Sequence, residues 1–228
     1  MKIGVFDSGV GGLSVANAIS KARPDLEVIF KNDAAHMPYG SKSPDEVYEL
    51  VVPIFAMLEQ AGCAVIVVAC NTVSTTLIER LRKRFHTPLI AIEPMVKPAA
   101  LITKTRKITV CATPATLASE RYQYLKQTYA NNCTVFEPDC SDWAYLIEQN
   151  QMNEARLRQT IEPAIAAGSD VIVLGCTHYH WIEQAIKQIA GNKAAVMQPE
   201  TAIARRLNDV IASLPGSRIS PGKPEQQV

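Results

Sequence analysis

Two cysteines in similar surroundings, Cys70 and Cys176, are the residues of this sequence best suited to carry out chemistry. The segments around them, 62–72 and 168–178, align without a gap and share five identical residues, the cysteine included. Each cysteine follows a run of β-branched apolar residues, which is typical of a strand buried on both faces of a parallel sheet. Small polar residues that suit the start of a helix come next. The sequence therefore places a thiol twice at the carboxyl end of a strand, where α/β proteins bind ligands and where a thiolate is stabilised.

Two thiols that face one pocket suit the inversion of an amino acid at Cα. Removing that hydrogen leaves a poorly stabilised carbanion, so the base must contact the hydrogen, water must be excluded and the carboxylate must be hydrogen-bonded. Inversion also needs an acid on the opposite face, and a thiolate opposite a thiol meets both needs without pyridoxal phosphate or another cofactor. Asp7, at the end of the first strand, is predicted to assist proton movement at Cys70, and His178 at Cys176. Hydroxyls and amides for the polar ends of a substrate are expected from Ser8, Asn71, Thr72, Thr113, Thr116 and Thr177.

The order of predicted elements indicates an α/β fold with an internal duplication. The pattern Lys2-Ile-Gly-Val5 recurs as Lys107-Ile-Thr-Val110, an offset of 105 residues against 106 between the two cysteines. Motifs that repeat at nearly one spacing indicate two duplicated lobes, each a mostly parallel sheet flanked by helices. We expect a first lobe of residues 1–95 plus 201–214, a second lobe of residues 96–200, and a disordered tail over 215–228.

Apolar periodicity and turn signals assign most of the individual elements. Predicted strands cover residues 2–6, 26–30, the two runs before the cysteines, 88–92, 107–110 and 194–196. Predicted helices cover residues 13–21, 44–60, 72–84, 117–128, 142–149, 153–167, 179–190 and 201–214.

The glycine-rich loop over residues 7–12 follows the first strand but lacks the Gly-x-Gly-x-x-Gly spacing of a dinucleotide site. Its glycines instead suggest that backbone amides approach a small anion such as a carboxylate. The other four cysteines lack the context of the repeated pair and are interpreted as small buried apolar residues. A zinc site through Cys133 and Cys140 is an alternative that lacks partner ligands at the usual spacing.

The composition favours an enzyme of the cytoplasm. The 228 residues carry a formal net charge of +1 without long blocks of one sign, which does not suggest nucleic acid or a membrane surface as a partner. The amino terminus meets Asp7 too soon to form a signal peptide, and the longest apolar run, 61–70, is too short to span a membrane.

At these residues the sequence resembles the glutamate racemases of the cofactor-independent aspartate/glutamate racemase superfamily. The motifs that carry the resemblance run in family order: Phe6-Asp-Ser-Gly-Val-Gly-Gly-Leu-Ser14, Pro38-Tyr-Gly40, Ala69-Cys-Asn-Thr72, Ile92-Glu-Pro94, Ala112-Thr-Pro-Ala-Thr116 and Gly175-Cys-Thr-His-Tyr179. Two differences from the common family pattern, His36 and His180, concern the rim of the site and bear on substrate preference.

The resemblance implies a fold, an activity and a set of site residues. It implies two pseudo-symmetric lobes with L- or D-glutamate in the cleft between them, and a final helix that returns to the first lobe. Cys70 would act on D-glutamate and Cys176 on L-glutamate, and the product would supply bacterial peptidoglycan synthesis and so cell wall biogenesis and cell shape. The family often forms dimers, so a homodimer is compatible with it. The positions that match substrate-holding residues are Asp7, Ser8, Pro38, Tyr39, Gly40, Asn71, Thr72, Thr113, Thr116, Thr177 and His178.

Three other hypotheses compete with a glutamate racemase. A racemase of aspartate, hydantoin or another acid shares the two-cysteine logic. A protein that only binds a partner would not need both Cys70 and Cys176. A thiol hydrolase would form a covalent adduct on one cysteine and be indifferent to the other.

Overall fold

Two parallel sheets of four strands, built one after the other along the chain, form the framework of this computed structural model. The structure describes residues 1–214, apart from the side chains at positions 200–202, 204 and 205, so the predicted tail over 215–228 lies outside the described residues. The strands are β1 (Lys2–Asp7), β2 (Glu27–Asn32), β3 (Cys63–Val68), β4 (Leu89–Ala91), β5 (Lys107–Ala112), β6 (Thr134–Phe136), β7 (Val171–Gly175) and β8 (Ala195–Met197).

The two sheets have the same strand order, which confirms the predicted α/β fold in two similar halves. The first sheet is ordered β2-β1-β3-β4 and the second β6-β5-β7-β8, and every pairing is parallel. In each half the strand that carries the repeated motif lies beside the first strand of that half. Because parallel strands end at one edge of a sheet, the residue after β1 lies next to the residues after β3, and the residue after β5 next to Cys176.

Helices cover both faces of each sheet. They are α1 (Leu13–Ala22), α2 (Pro44–Gln60), α3 (Asn71–Thr76), α4 (Ile78–Arg84), α5 (Val96–Ile102), α6 (Pro114–Ala118), α7 (Glu120–Tyr129), α8 (Trp143–Glu148), α9 (Glu154–Ala166), α10 (Glu183–Ala190) and α11 (Glu200–Ser213). Short 3-10 helices occupy Val10–Gly12, Ala34–His36, Tyr39–Ser41 and Thr177–Ile182.

Local sequence signals account for where several of these elements start. Ser43 and Glu46 form a reciprocal capping box at the start of α2, with Pro44 in the first turn. Gly62 and Gly168 precede the two repeated strands with φ of +78° and +94°. This left-handed conformation favours glycine, which explains why both copies of the repeat begin with that residue.

Several predicted elements differ from the structure. The predicted helix over 72–84 is two helices that meet at Leu77, and the predicted helix over 179–190 begins as a 3-10 helix. The sequence did not predict β6 or α5. β6 is a three-residue edge strand with no fully buried residue, and α5 carries Pro98 in its first turn.

The last helix packs on the first sheet. Its buried residues Ile203, Leu207 and Ile211 join a core cluster with residues of β1, α1 and β3. Leu207 is fully buried, whereas Asp209 on the same helix is exposed.

Leu207→Ala is expected to lower the free energy of unfolding by about 2–5 kcal/mol, because it removes a buried side chain and leaves a cavity. Denaturant titration of the purified protein measures this change. Asp209→Ala is the matched control, and we expect it to stay within about 0.5 kcal/mol of the unsubstituted protein. Equal stability of the two variants would show that α11 contributes little to the packing of the first sheet.

Candidate active site

Both repeated cysteines lie on the wall of one narrow cavity between the carboxyl edges of the two sheets. Cys70 follows β3 and directly precedes α3, as predicted. Cys176 follows β7 but leads into a 3-10 helix. The cavity has a volume of about 20 Å³, roughly the room that one water molecule needs. It is lined by Ser8, Met37, Pro38, Tyr39, Gly40, Cys70, Asn71, Thr72, Thr113, Ala144, Cys176, Thr177 and His178.

Most of the predicted site residues are therefore brought together at this cavity. Asp7 and Thr116 do not line its wall. Both are fully buried behind it, where Asp7 contacts Thr177 and Thr116 accepts a hydrogen bond from the hydroxyl of Thr113.

The glycine-rich loop directs its amides to carboxylates of the protein itself rather than to an external anion. The N–H groups of Gly9 and Gly12 donate to Asp7 Oδ2 over 3.3 and 2.9 Å. The N–H of Val10 donates to Glu148 Oε1 over 3.3 Å. A Cβ at Gly12 would lie 2.4 Å from Asp7 Cβ, so this close approach requires glycine.

Asp7 connects the two halves of the site. Its carboxylate accepts a hydrogen bond from Thr177 Oγ1, 3.1 Å from Oδ1, across the gap between the sheets. Burial raises the pKa of this carboxyl, although nearby His178 and the hydrogen bonds from Gly12, Gly9 and Thr177 act in the opposite direction. A carboxyl whose pKa is raised accepts a proton more readily than an exposed aspartate does.

A carboxylate that the sequence did not single out completes the surroundings of Cys176. Glu148 Oε1, at the end of α8, lies 2.7 Å from His178 Nε2, and His178 Nδ1 lies 3.7 Å from Cys176 Sγ. With Nε2–H donating to the carboxylate, the neutral ring presents an unprotonated Nδ1 to the thiol. The three side chains form a carboxylate–imidazole–thiol array, the arrangement that orients a proton acceptor beside a nucleophile or base.

A second carboxylate missed by the sequence analysis, Asp33, holds Tyr39 in the wall. Tyr39 Oη donates to Asp33 Oδ2 over 2.5 Å, and Asp33 Oδ1 lies 2.7 Å from His36 Nδ1. His36 itself is largely exposed. The signal that could have found Asp33 is its position directly after β2, beside the end of β1.

Both thiols are neutral in the resting site. Burial raises the pKa of Cys70 to about 11, and the charge of Asp7 acts in the same direction. Burial also raises the pKa of Cys176, and by more than it raises the pKa of Cys70. The position of each cysteine at the end of a strand predicts a stabilised thiolate, and the raised pKa values of both thiols contradict this prediction. In the structure, the loss of hydration outweighs the hydrogen bonds that the backbone offers.

The wall also presents polar groups with unused hydrogen-bonding capacity. Asn71 is buried, and neither Oδ1 nor Nδ2 of its side chain has a partner among the described residues. Thr72 Oγ1 lies 3.0 Å from Thr113 Oγ1, which in turn lies 3.0 Å from Thr116 Oγ1. Because buried amides are costly to leave unpaired, Asn71 marks a place where a polar ligand would gain hydrogen bonds.

The described residues offer neither a membrane helix nor a clustered metal-binding set. No helix within 1–214 combines the length and apolarity needed to cross a membrane. Within the same residues, no three His, Cys, Asp or Glu side chains converge as metal ligands.

This fold and this paired-thiol cavity agree with the comparison to protein families. The chain belongs to the Asp/Glu/Hydantoin racemase family, whose model matches residues 12–207. Racemases are isomerases, so the chain belongs to a family of enzymes.

The similar proteins within that family are glutamate racemases. The glutamate racemase of Ralstonia pickettii is 36% identical over 215 residues, which cover 92% of this chain and 76% of that protein. The crystal structure of Escherichia coli glutamate racemase with L-glutamate and the activator UDP-MurNAc-Ala has a TM-score of 0.85 and 32% identity, and the match covers 93% of this chain and 82% of that one. The structure of the Francisella tularensis enzyme with D-glutamate has a TM-score of 0.79 and 26% identity over 92% of this chain and 81% of that one.

Proposed function

We propose that this protein interconverts L- and D-glutamate by two-base proton transfer at Cα, without a cofactor. The observation that carries the proposal is the pair of thiols, Cys70 and Cys176, which lie on the wall of one cavity and follow strands of two different sheets. Similarity to glutamate racemases over more than nine-tenths of the chain supports glutamate as the substrate.

In the proposed mechanism, one thiolate removes the Cα hydrogen and the thiol on the other face returns a proton. Cys70 serves as the base for D-glutamate and Cys176 for L-glutamate, and the roles exchange in the reverse direction. Asp7, on the side of Cys70, and His178, on the side of Cys176, take up and return the thiol protons. Glu148 orients His178, since its carboxylate accepts from the far side of the ring.

The substrate itself supplies the charge that ionises the base. The resting thiols are neutral, and an opposite charge within about 4–6 Å favours the ionised form of a thiol. Glutamate brings an ammonium group next to the Cα hydrogen, so binding places a cation beside the thiol that must lose its proton. Asn71 and the hydroxyls of Thr72, Thr113 and Thr177 would bind the two carboxylates, because hydrogen bonds to the Cα carboxylate lower the cost of the carbanion.

The chemistry would take place after the walls of the cavity have closed around the substrate. A volume of about 20 Å³ is far smaller than glutamate, so the walls must separate to admit the substrate and close around it. Closure excludes water from the carbanion and strengthens every electrostatic contact inside the site. We assign residues 1–95 plus 201–214 and residues 96–200 to the two lobes that move in this step.

The proposed role in the cell is the supply of D-glutamate for peptidoglycan synthesis. We propose a cytoplasmic location, where thiols stay reduced. All six cysteines are unpaired in the described residues, which agrees with such a compartment.

A chiral assay of purified enzyme with L-glutamate, D-glutamate, L-aspartate and D-aspartate, without added cofactor, tests this function. We expect both glutamate enantiomers to interconvert to an equal mixture and both aspartate enantiomers to react far more slowly. Faster turnover of aspartate would assign the protein to an aspartate racemase instead. Absence of turnover in a folded, reduced protein would contradict the proposal.

We expect kcat/KM to rise about tenfold per pH unit between about pH 6.5 and about pH 8.5. With a pKa of about 11, Cys70 is almost wholly protonated in this range, and its thiolate fraction grows as the pH rises. Since the equilibrium constant between enantiomers is unity, kcat/KM must follow the same profile from either enantiomer. A flat or falling profile, measured where thermal unfolding shows no loss of stability, would mean that the reactive thiol is already ionised in the free enzyme.

A further inference from the structure

The wall of the site cavity lacks the positive charge that an anionic substrate calls for. None of the residues that line it is a lysine or an arginine, and its polar groups are hydroxyls, an amide, two thiols and an imidazole. Asp7, directly behind the wall, adds a carboxyl. The substrate proposed above has two carboxylates and one ammonium, hence a net negative charge at neutral pH. The attraction that concentrates it at the cleft must therefore come from outside this cavity.

A second, larger cavity adjoins the first and opens toward solvent. It measures about 520 Å³ and shares Gly40 and Thr72 with the wall of the site. We call it the entry groove. Its lining consists of Gly40, Ser41, Lys42, Ser43, Pro44, Val47, Thr72, Thr76, Pro114, Ala115, Ala118 and Ser119.

Contacts between the two halves of the chain, at Gly40, Thr72 and Thr113, separate the entry groove from the site. A Cβ built on Gly40 would lie 2.9 Å from Thr113 Cβ, so the loop at Gly40 already touches the second half of the chain. The hydroxyls of Thr72 and Thr113, which also belong to different halves of the chain, are 3.0 Å apart. Parting these contacts would join groove and site, which makes the groove a direct path for the substrate.

Lys42 is the one charged side chain on the described lining of the entry groove. Its backbone N–H donates to the carbonyl oxygen of Tyr39 over 3.1 Å, which fixes it to a residue of the site wall. Lys42 is half-buried and forms no salt bridge with any residue in the range 1–214. The neighbouring Glu46 directs its carboxylate to the N–H and hydroxyl of Ser43 in the cap of α2. The charge of Lys42 helps to lower the pKa of Glu46, but no described carboxylate holds the ammonium in a salt bridge, so it can also interact with a ligand.

We propose that Lys42 is the positioning residue that attracts the anionic amino acid into the entry groove and raises its affinity before the lobes close. This inference rests on the proposed function and extends it to the route by which the substrate enters. Lys42 does not touch the reacting atoms, so it contributes to substrate binding and not to the proton transfers. One unit charge a few ångströms from a carboxylate in water changes affinity by about two- to fivefold.

Steady-state kinetics of Lys42→Gln, Lys42→Glu and Lys42→Arg at two ionic strengths test this inference. In a buffer of about 0.01 M ionic strength, we expect the KM for both enantiomers to rise about two- to fivefold in Lys42→Gln and further in Lys42→Glu, with kcat unchanged. Lys42→Arg should retain the KM of the unsubstituted enzyme. At about 0.5 M ionic strength the differences should vanish, because exposed charges are then screened within a few ångströms.

Lys193→Gln is the matched control, because Lys193 is an exposed lysine outside the groove and the site, and its KM should not change. The inference is overturned if Lys42→Gln keeps the KM of the unsubstituted enzyme at low ionic strength. It is also overturned if Lys42→Arg is impaired like Lys42→Gln, or if the defect persists at high salt, since both results indicate packing rather than charge. If the unsubstituted enzyme has no turnover at all, the proposed function fails first and the inference with it.

Discussion

Replacement of Cys70 or Cys176 by alanine is expected to reduce the rate of glutamate racemisation by at least about 100-fold and up to about 10⁴-fold. Each variant loses either the base or the acid that inversion requires, so neither thiol can compensate for the other. Because kcat/KM is linked between the two directions by an equilibrium constant of unity, the loss must be the same from L- and D-glutamate.

The two variants should differ in what they can still do. In Cys70→Ala the remaining thiol faces L-glutamate, and in Cys176→Ala it faces D-glutamate. We therefore expect slow exchange of the Cα hydrogen with solvent, without inversion, from one enantiomer only in each variant. Proton NMR in heavy water follows this exchange. Cys133→Ala is the control, since Cys133 lies outside the cavity and its thiol, among the described residues, donates only to Oδ1 of its neighbour Asn132. Racemisation that survives in one of the two variants would indicate chemistry at a single thiol.

Glu148→Gln is expected to lower kcat by about 10- to 100-fold, a smaller loss than removal of a thiol. The substitution keeps the shape of the side chain but removes the charge beside His178 Nε2, which lies 2.7 Å away. Without that carboxylate the ring loses the partner that fixes its orientation beside Cys176. Steady-state kinetics over a range of pH measure the effect.

A surface carboxylate of the same type provides the control for Glu148. Glu154, in an exposed salt bridge with Arg158 on α9, is also an ion-paired glutamate, and Glu154→Gln should retain full activity. Thermal unfolding of both variants separates loss of function from loss of fold. An unchanged rate and pH profile in a well-folded Glu148→Gln would remove Glu148 from the mechanism.

The duplicated framework was predictable because its signals are local. Each cysteine run combines β-branched residues, a terminal thiol and polar residues within eleven positions, and each copy recurs at nearly one offset. In a parallel sheet with β1 next to β3, Asp7 at the end of β1 must lie beside the end of β3. Parallel pairing thus places side chains that are distant in sequence at a common edge.

The parts that were not predicted depend on contacts that no local pattern encodes. Glu148 reaches His178 across 30 residues of sequence, and the apolar helix around it carries no spacing that points to the imidazole. The ionisation of the thiols was expected to follow the helix N-termini, yet burial decides it. Burial depends on how closely the two sheets approach each other, and this distance is a property of the whole fold.

The most direct test of the two-base account is the incorporation of solvent deuterium at Cα, followed separately from L- and D-glutamate in heavy water. Two-base transfer predicts that the first product formed from either enantiomer carries deuterium at Cα, because the returning proton comes from the opposite thiol, which has exchanged with solvent. The unreacted substrate should retain its hydrogen during the same early period. A product that retains the original hydrogen would mean that one group removes and returns the same proton, and it would contradict catalysis by Cys70 and Cys176 on opposite faces.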